Sequence, residues 1–224
     1  MTHKINPNAH RLGIIRTWRS KWSFADKTAY KDNLKLDFFV RDLIEKKLRN
    51  FYVSTISFSR DSKDNYIVNI ASSRGGMIAG RDGKGVENLI KDIKKIIRKK
   101  GLEAPKDIKV NIEDIKSVYA DAGIVTAEVI ESLEKRMPFK RVLKGIVENV
   151  MRERGVLGVK ISLSGRLGGA DMARKEFIKK GRIPLSTFRA DIDYREGRAN
   201  LAYGVIGIKV WIYKGDIFDK KTTR

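Results

Sequence analysis

The stretch Ile78-Ala79-Gly80-Arg81-Asp82-Gly83-Lys84-Gly85-Val86 decides the fold of the first half of this chain. Its glycines predict a tight turn, because a residue without a Cβ adopts positive φ at little cost and lets a bulky partner come close. A strongly periodic basic helix follows at once, and the N-terminus of a helix presents unpaired N–H groups and a partial positive charge. The stretch therefore predicts a place for phosphates, which belong either to a nucleotide or to a nucleic-acid strand.

Two nucleotide-binding motifs fail to match this stretch. A Walker A loop ends in Gly-Lys-Ser/Thr, whereas Gly83-Lys84 is followed by Gly85, so the hydroxyl that binds Mg²⁺ is missing. A dinucleotide fingerprint has the spacing Gly-x-Gly-x-x-Gly, and Gly80, Gly83 and Gly85 give the reverse order. The remaining match is Gly-x-x-Gly between two short helices beside a small sheet. That is the KH arrangement, in which the loop clamps the backbone of about four nucleotides.

The elements around the glycine stretch favour the KH interpretation over a merely structural turn. Apolar periodicity predicts a helix over residues 32–50, and alternating β-formers at 53–58 and 66–70 predict a hairpin. The basic helix after the glycines ends at Gly101, and a strand at 108–112 completes the unit. The predicted order is helix, strand, strand, short helix, glycine turn, helix, strand.

A second unit is predicted from residue 115 onward. A helix is expected over residues 117–137, and Pro138 begins another at a position where its missing N–H is harmless. Four strands follow, with residues 195–200 as the turn of the last hairpin. Two helices before a run of strands predict an α+β layer, with both helices on a four-stranded, mostly antiparallel sheet. We divide the α+β chain into a basic N-terminal extension (1–16), a KH domain (17–114) and a C-terminal α+β domain (115–224).

Composition points to a polyanionic partner. The 224 residues hold 48 Lys+Arg against 27 Asp+Glu, a net charge of +21, which favours nucleic acid or an anionic membrane. No apolar run approaches the ~20 residues that span a bilayer, and no signal peptide is apparent. The absence of cysteine excludes disulfides and thiolate metal sites. We expect a cytosolic protein without metal or cofactor. Its N-terminal segment should dock by Trp18, Trp22 and Phe24 and offer its charges outward.

Cations cluster on the helix that follows Pro138. Lys140, Arg141 and Lys144 lie opposite its apolar stripe, since residues i and i+4 differ by only ~40° around a helix. Cations in the first two turns oppose the helix dipole, which suggests an external polyanion. A solvated helix face is the alternative that spacing alone leaves open.

Further basic residues are candidates for RNA contact because phosphate contacts set position and affinity. One of them, Arg166, lies in the glycine-rich turn Ser164-Gly165-Arg166-Leu167-Gly168-Gly169, where it is placed to pair with phosphate. The full set of candidates is Lys4, Arg11, Arg16, Lys91, Lys94, Lys95, Arg166, Arg174, Lys175, Arg182 and Arg189.

The chain resembles the third protein of the small ribosomal subunit, the universal S-three family, in its bacterial or organellar form. The resemblance covers nearly the whole length. It is carried by Pro7-Asn8, Arg11-Leu12-Gly13-Ile14 and Trp18, by residues 78–83 and 139–141, and by the long strings at 164–170, 189–194 and 203–212.

This resemblance implies a type II KH domain, a second α+β domain and a place in the head of the small subunit, bound to its ribosomal RNA. It implies the tenth and fourteenth small-subunit proteins as neighbours, and the fourth and fifth around the channel through which messenger RNA enters. Basic residues at the positions of Lys140, Arg141 and Lys144 line that channel in the family and are implicated in unwinding structured messenger RNA. The expected location is the ribosome of the cytoplasm, with an organellar ribosome left open.

Two departures from the family pattern bear on the sites. Lys140 stands where many members have arginine, which keeps the charge but loses the bidentate fork to phosphate. Asp82 stands where relatives often carry lysine, and an acid there weakens any phosphate contact by the loop from Gly80 through Arg81 and Asp82 to Gly83 and Lys84. The stronger functional prediction therefore falls on Lys140, Arg141 and Lys144.

Two other classes of protein remain open from the residues. An RNA-processing nuclease on a KH scaffold would use Asp191, Asp193 and Glu176 as its acids, although a solvated or arginine-paired role suits Asp191 and Asp193 better. The third possibility is a free-standing KH regulator.

Overall fold

The structure, a computed structural model, describes residues 5–24, 26–61, 65–80, 83–101 and 105–218. The chain divides into two units. The first comprises residues 18–116, and the second combines residues 1–17 with 117–224. None of the described helices has the length and apolar character needed to cross a lipid bilayer.

The first unit contains the elements predicted from the sequence, in the predicted order. Its helices and strands are α1 (Lys27–Lys47), β1 (Val53–Arg60), β2 (Asn65–Ser72), α2 (Gly75–Ala79), α3 (Lys84–Lys100) and β3 (Asp107–Asp114). The sheet order is β1-β2-β3. β1 and β2 form the predicted antiparallel hairpin, while β3 runs parallel to β2.

One face of this sheet and the apolar faces of α1 and α3 form the core. Buried apolar residues recur at every second position in the strands and at every third or fourth position in the helices, so their side chains meet in one layer. The strands contribute Tyr66, Val68 and Ile70, and the helices contribute Leu36, Val40, Ile44, Leu89, Ile93 and Ile97. The order of elements was predictable because each of these periodicities is local.

A buried carboxylate fastens the segment before α1 to this core. Asp37 is 5% exposed and accepts hydrogen bonds from Trp22 Nε1 at 2.8 Å and from the Tyr66 hydroxyl at 2.9 Å. Burial raises the pKa of Asp37 against the opposing effect of these two donors. Trp22 thus docks as predicted, whereas Trp18 is 70% exposed and the prediction that it docks is wrong.

The second unit is a four-stranded sheet with two helices packed on it, as predicted. Its elements are α4 (Ala122–Glu134), α5 (Phe139–Arg152), β4 (Gly158–Gly165), β5 (Arg174–Gly181), β6 (Ala190–Leu201) and β7 (Gly204–Asp216). The sheet order is β5-β4-β7-β6, and every neighbouring pair is antiparallel. α4 begins later than predicted, because Asp121 caps it by accepting from the backbone N–H groups of Gly123 and Ile124.

The predicted turn at residues 195–200 is wrong, since these residues lie inside β6. Gly197 made the segment look like a turn, but its role is packing: a Cβ there would lie 2.7 Å from Thr126 Cγ2 and 2.9 Å from Ile130 Cδ1. Glycine therefore lets α4 approach the sheet closely. The hairpin instead turns at Ala202 and Tyr203, between β6 and β7.

The N-terminal segment up to Thr17 belongs to the second unit, and two of its arginines, Arg11 and Arg16, are turned toward the protein. Arg11 is fully buried. Its guanidinium donates to the carbonyl oxygens of Ala190 (2.6 Å), Thr187 (2.9 Å), Pro7 (3.0 Å) and Leu185 (3.1 Å). The interpretation of Arg11 as an RNA contact is therefore wrong, because its donors are committed to the protein backbone.

Arg16 is also turned toward the protein. Its guanidinium pairs with Asp191 at 3.0 Å and with Asp193 at 3.4 Å, and its side chain is 26% exposed. β6 is an edge strand. The segment thus covers this edge, and Arg16 anchors it there instead of reaching for RNA.

Candidate nucleic-acid interface

The glycine loop of the first unit has the backbone that its sequence predicts. Gly80 (φ 72°) and Gly83 (φ 74°) both adopt positive φ, and Gly83 precedes α3 without a side-chain cap. Lys84, the first residue of α3, is exposed. Arg81 and Asp82 lie outside the described residues, so a phosphate contact by this loop stays a prediction.

Gly85 has a packing role that motif matching missed. A Cβ at this position would lie 2.1 Å from the carbonyl oxygen of Ile78 and 2.7 Å from that of Ala79. The backbones of α2 and α3 therefore touch at Gly85, and only glycine fits between them. The sequence signal for this close packing was Gly85 itself, a third glycine that neither nucleotide-binding motif explains.

The basic face of α3 is exposed as predicted. Lys91, Lys94 and Lys95 all face solvent, opposite the buried Leu89 and Ile93. Further along, Arg98, Lys99 and Lys100 stand in the last turn of the helix. Cations near a helix C-terminus are stabilised by the helix dipole, so the last-turn charges are favourable without RNA.

The cations of α5 are placed differently, at the positive end of their helix. Lys140, Arg141 and Lys144 are exposed, while the opposite face of α5 is buried through Val142, Leu143, Ile146, Val147 and Val150. The first turn contains no acid, and Pro138 gives the helix no side-chain cap. Within the part of the chain that the structure describes, none of the three cations forms an ion pair. This face is therefore a cationic surface whose charges form no ion pair within the described residues.

Several predicted RNA contacts already have partners in the protein. Arg166 donates to the carbonyl oxygen of Ala170 (2.9 Å) and to Asp171 Oδ1 (2.9 Å). Arg174 lies 3.7 Å from Glu176 and its guanidinium lies 5.6 Å from the Phe139 ring. Arg189 pairs with Asp216 at 3.4 Å.

The remaining predicted contacts are exposed or undescribed. Lys175 and Arg182 face solvent. Lys4 lies outside the described residues.

The sheet of the second unit carries a basic and aromatic cluster, partly buried at Trp211, that the sequence did not lead us to expect. Lys160, on β4, stands beside Lys179 of β5 and Trp211 of β7 in register. Its ammonium lies 4.9 Å from the Phe177 ring centroid and 5.3 Å from that of Trp211. Strand alternation puts these side chains on the face away from the core residues of β4. This alternation is visible in the sequence and would have predicted the cluster, but we had used it only to assign the apolar positions.

The acids proposed for a nuclease do not assemble. Asp191 and Asp193 pair with Arg16, which confirms the arginine-paired interpretation, and Asp193 also accepts from the backbone N–H of Ala122 at 2.9 Å. Glu176 lies on β5, at the opposite edge of the sheet from β6. Among the described residues, no three histidine or acidic side chains gather at a spacing that would hold a metal ion.

The fold is that of a KH protein with a second α+β unit, and its exposed cations define a surface suited to a polyanion. Comparison with known families agrees. The sequence model described as "KH domain" matches residues 40–118, and the one described as "Ribosomal protein S3, C-terminal domain" matches residues 129–212. The first unit is thus a type II KH domain.

Curated relatives extend the likeness to nearly the whole chain. The small ribosomal subunit protein uS3 of Coxiella burnetii (strain RSA 331) is 42% identical over 221 residues, covering 99% of this chain and 93% of the relative. That of Shewanella loihica is 42% identical over 219 residues, covering 98% and 91%. That of Clostridium tetani is 41% identical over 221 residues, covering 99% and 96%. The chain belongs to the uS3 family of small ribosomal subunit proteins.

Proposed function

We propose that this protein is a structural component of the small ribosomal subunit, held in the subunit head by its ribosomal RNA. The relatives align with this chain over nearly their whole length, and all are named as small ribosomal subunit proteins, which supports the assignment. The net charge of +21 supports it as well, since neutralising phosphates is the main source of affinity for RNA. Lys91, Lys94, Lys95, Lys175 and Arg182 are exposed candidates for ribosomal RNA contact, as are Arg174 and Arg189 beside their surface ion pairs.

The second part of the proposal concerns the face formed by Lys140, Arg141 and Lys144, which we call the α5 face. We assign it to messenger RNA at the channel through which the messenger enters the subunit, where it positions the strand and assists its unwinding. The observation that carries this is the set of exposed cations in the first two turns of α5, none of which forms an ion pair among the described residues. Lys140 and Arg141, in the first turn, oppose the helix dipole by roughly 0.3–1 kcal/mol each, a cost that a bound polyanion offsets.

The proposal includes the neighbours expected from the family. These are the tenth and fourteenth small-subunit proteins in the head, and the fourth and fifth around the channel, in a ribosome of the cytoplasm. A KH domain and a second α+β unit give the chain two separate RNA-binding surfaces, which suits a protein that contacts ribosomal RNA with one and the messenger with another.

The α5 face is tested by replacing Lys140, Arg141 and Lys144 with alanine. We expect subunits carrying this variant to assemble and to translate an unstructured message normally. Passage through a stable messenger hairpin should slow severalfold, because three phosphate contacts are lost from one side of the strand. The measurement is the rate of translation of paired messages with and without the hairpin, on purified ribosomes.

The matched control replaces Lys91, Lys94 and Lys95 of α3 with alanine, which removes the same charge from the other unit. This control should leave the ratio of the two rates unchanged. Equal slowing by the two triple variants, or no slowing by the α5 variant, would contradict the assignment of the α5 face to the messenger.

A further inference from the structure

A cavity of about 530 Å³ lies beside the α5 face, within the second unit. Its walls come from three segments: the turn between α4 and α5, the glycine-rich loop after β4, and the tip of the β6–β7 hairpin. Its volume falls within the range of roughly 300–1,000 Å³ that is typical of ligand sites. Arg166, whose contacts with Ala170 and Asp171 are given above, forms part of its wall.

Two aromatic rings line this cavity, with a pair of glycines beside them. Phe139 begins α5, and Tyr203 stands at the hairpin tip with 64% of its surface exposed. A Cβ at Gly169 would lie 3.3 Å from Tyr203 Cε2, and one at Gly168 would lie 3.9 Å from Phe139 Cε1. Any larger residue at these positions would narrow the space next to the rings. The glycines therefore leave room beside both rings: Tyr203 is exposed, and the half-buried Phe139 has the Arg174 guanidinium 5.6 Å from its ring.

Arg166 holds the walls together. Its Nε donates to the carbonyl oxygen of Ala170 at 2.9 Å, and its guanidinium reaches the carbonyl oxygen of Tyr203 at 3.5 Å and lies 5.7 Å from the Tyr203 ring. One side chain thus ties the glycine-rich loop to the hairpin tip. The cavity is consequently preformed, and a ligand would not have to order its walls on binding.

Arg136 supplies a cation to the lining in an unusual backbone conformation. It follows the end of α4 with φ at 60°, and the bonds from its N–H to Leu133 and from Met137 to Ser132 form a Schellman motif. Glycine is the usual residue here, because a Cβ disfavours positive φ. Arg136 is exposed, and its guanidinium has no ion-pair partner in the described ranges of the chain. Arginine therefore occupies a position at which the backbone conformation favours glycine.

We propose that this cavity holds one unstacked base of a single-stranded RNA, stacked on Tyr203 and Phe139, with the adjoining phosphate on Arg136. Aromatic rings stack on any base, and such platforms beside a cationic track bind single strands without sequence preference. The track is the α5 face, whose Lys140 and Arg141 directly follow Phe139 in the same helix. A base within a duplex is already stacked and paired, so a duplex does not fill the cavity. The cationic lining favours RNA over an uncharged apolar ligand.

This inference rests on the proposed function, because it uses the same strand that the α5 face is assigned to hold. The base pocket leads to a prediction that does not follow from the cations of the α5 face alone. A cationic face binds single and double strands alike, whereas a base pocket discriminates between them.

The test is fluorescence anisotropy of the full-length protein with two labelled probes, a twelve-residue oligouridine and a twelve-base-pair RNA duplex, at one fixed salt concentration. Tyr203→Ala should weaken oligouridine binding about tenfold, because one stacked base is lost, and should change duplex binding less than twofold. Tyr203→Phe keeps the ring and should bind both probes as the parent does. Arg136→Gly should weaken oligouridine binding severalfold without lowering thermal stability, since glycine suits positive φ.

Phe38→Ala provides the control, because Phe38 is 67% exposed on α1 of the other unit and should leave both affinities unchanged. Unchanged oligouridine binding by Tyr203→Ala, or equal losses for both probes, would overturn the base pocket. The variant with Lys140, Arg141 and Lys144 replaced by alanine separates the two proposals. If the triple variant binds both probes more weakly while Tyr203→Ala binds both as the parent does, the assignment of the α5 face is supported and the base pocket is contradicted. If the triple variant binds both probes as the parent does, the assignment of the α5 face is contradicted.

Discussion

Arg11→Ala is expected to lower the free energy of unfolding of the second unit by about 3–5 kcal/mol. The guanidinium is fully buried and donates to backbone carbonyls of the N-terminal segment and of the chain that leads into β6. Its removal leaves the acceptors of the two buried bonds, on Ala190 and Pro7, without this donor, and each unsatisfied buried group costs about 1–3 kcal/mol. Burial lowers the pKa of Arg11, yet its usual pKa is so high that the side chain stays charged at neutral pH.

Native-state hydrogen exchange measures this effect unit by unit. Amides of β6 and β7 should lose protection in Arg11→Ala, while amides of β1 and β2 keep theirs, because the hydrogen bonds of Arg11 to described residues stay within the second unit. Arg11→Lys should lose much of the same stability, since an ammonium cannot reproduce the planar fork of donors. Arg154→Ala, at an exposed position of the same unit, should change stability by less than about 0.5 kcal/mol. Full protection of β6 in Arg11→Ala would show that the buried arginine does not hold the segment in place.

Gly85→Ala is expected to destabilise the KH domain by about 3 kcal/mol. The added Cβ would lie 2.1 Å from the carbonyl oxygen of Ile78, so α2 and α3 must separate to admit it. A backbone atom cannot move aside as a flexible side chain can. Because the loop between these helices carries Gly80, Gly83 and Lys84, the same change should also displace the candidate phosphate-binding loop.

Gly76→Ala is the matched control for this prediction. Gly76 lies in α2, and nothing stands within 4 Å of the place where its Cβ would be. Alanine there should be neutral or should stabilise the domain by about 0.5–1 kcal/mol, because glycine costs entropy within a helix. Urea unfolding of both variants gives the comparison. Equal stabilities for Gly85→Ala and Gly76→Ala would contradict the close approach of α2 and α3.

The fold was predictable from the sequence where its signals are local. The hairpin of β1 and β2 follows from alternation, and α5 follows from Pro138 and an unbroken apolar stripe, so both were placed correctly. The errors arose where a distant part of the chain decides the outcome. Gly197 was predicted to lie in a turn, because the sequence does not show that Thr126 and Ile130 of α4 pack against it. Arg11 was predicted to be a surface cation, because three of its backbone partners, Ala190, Leu185 and Thr187, lie more than 170 residues away in sequence.

The candidate site shows the same division. The α5 face was predictable because one helix carries its cations at positions i, i+1 and i+4, and a helical projection is enough to group them. The base pocket was not, since its walls come from residues 133–139, 166–169 and 201–206. Arg136 gave no signal in the sequence, because its positive φ becomes visible only with the backbone of the turn between α4 and α5.

Photo-crosslinking from the α5 face in assembled subunits tests the central claim most directly. A benzophenone amino acid is placed at Lys144, and a second protein carries it at Lys95 as the control; both positions are exposed on a basic helix. Subunits are then loaded with a labelled messenger and irradiated. We predict a crosslink to the messenger from position 144 and none from position 95. A crosslink from position 144 only to ribosomal RNA or to a neighbouring protein would contradict the assignment of the α5 face to messenger RNA.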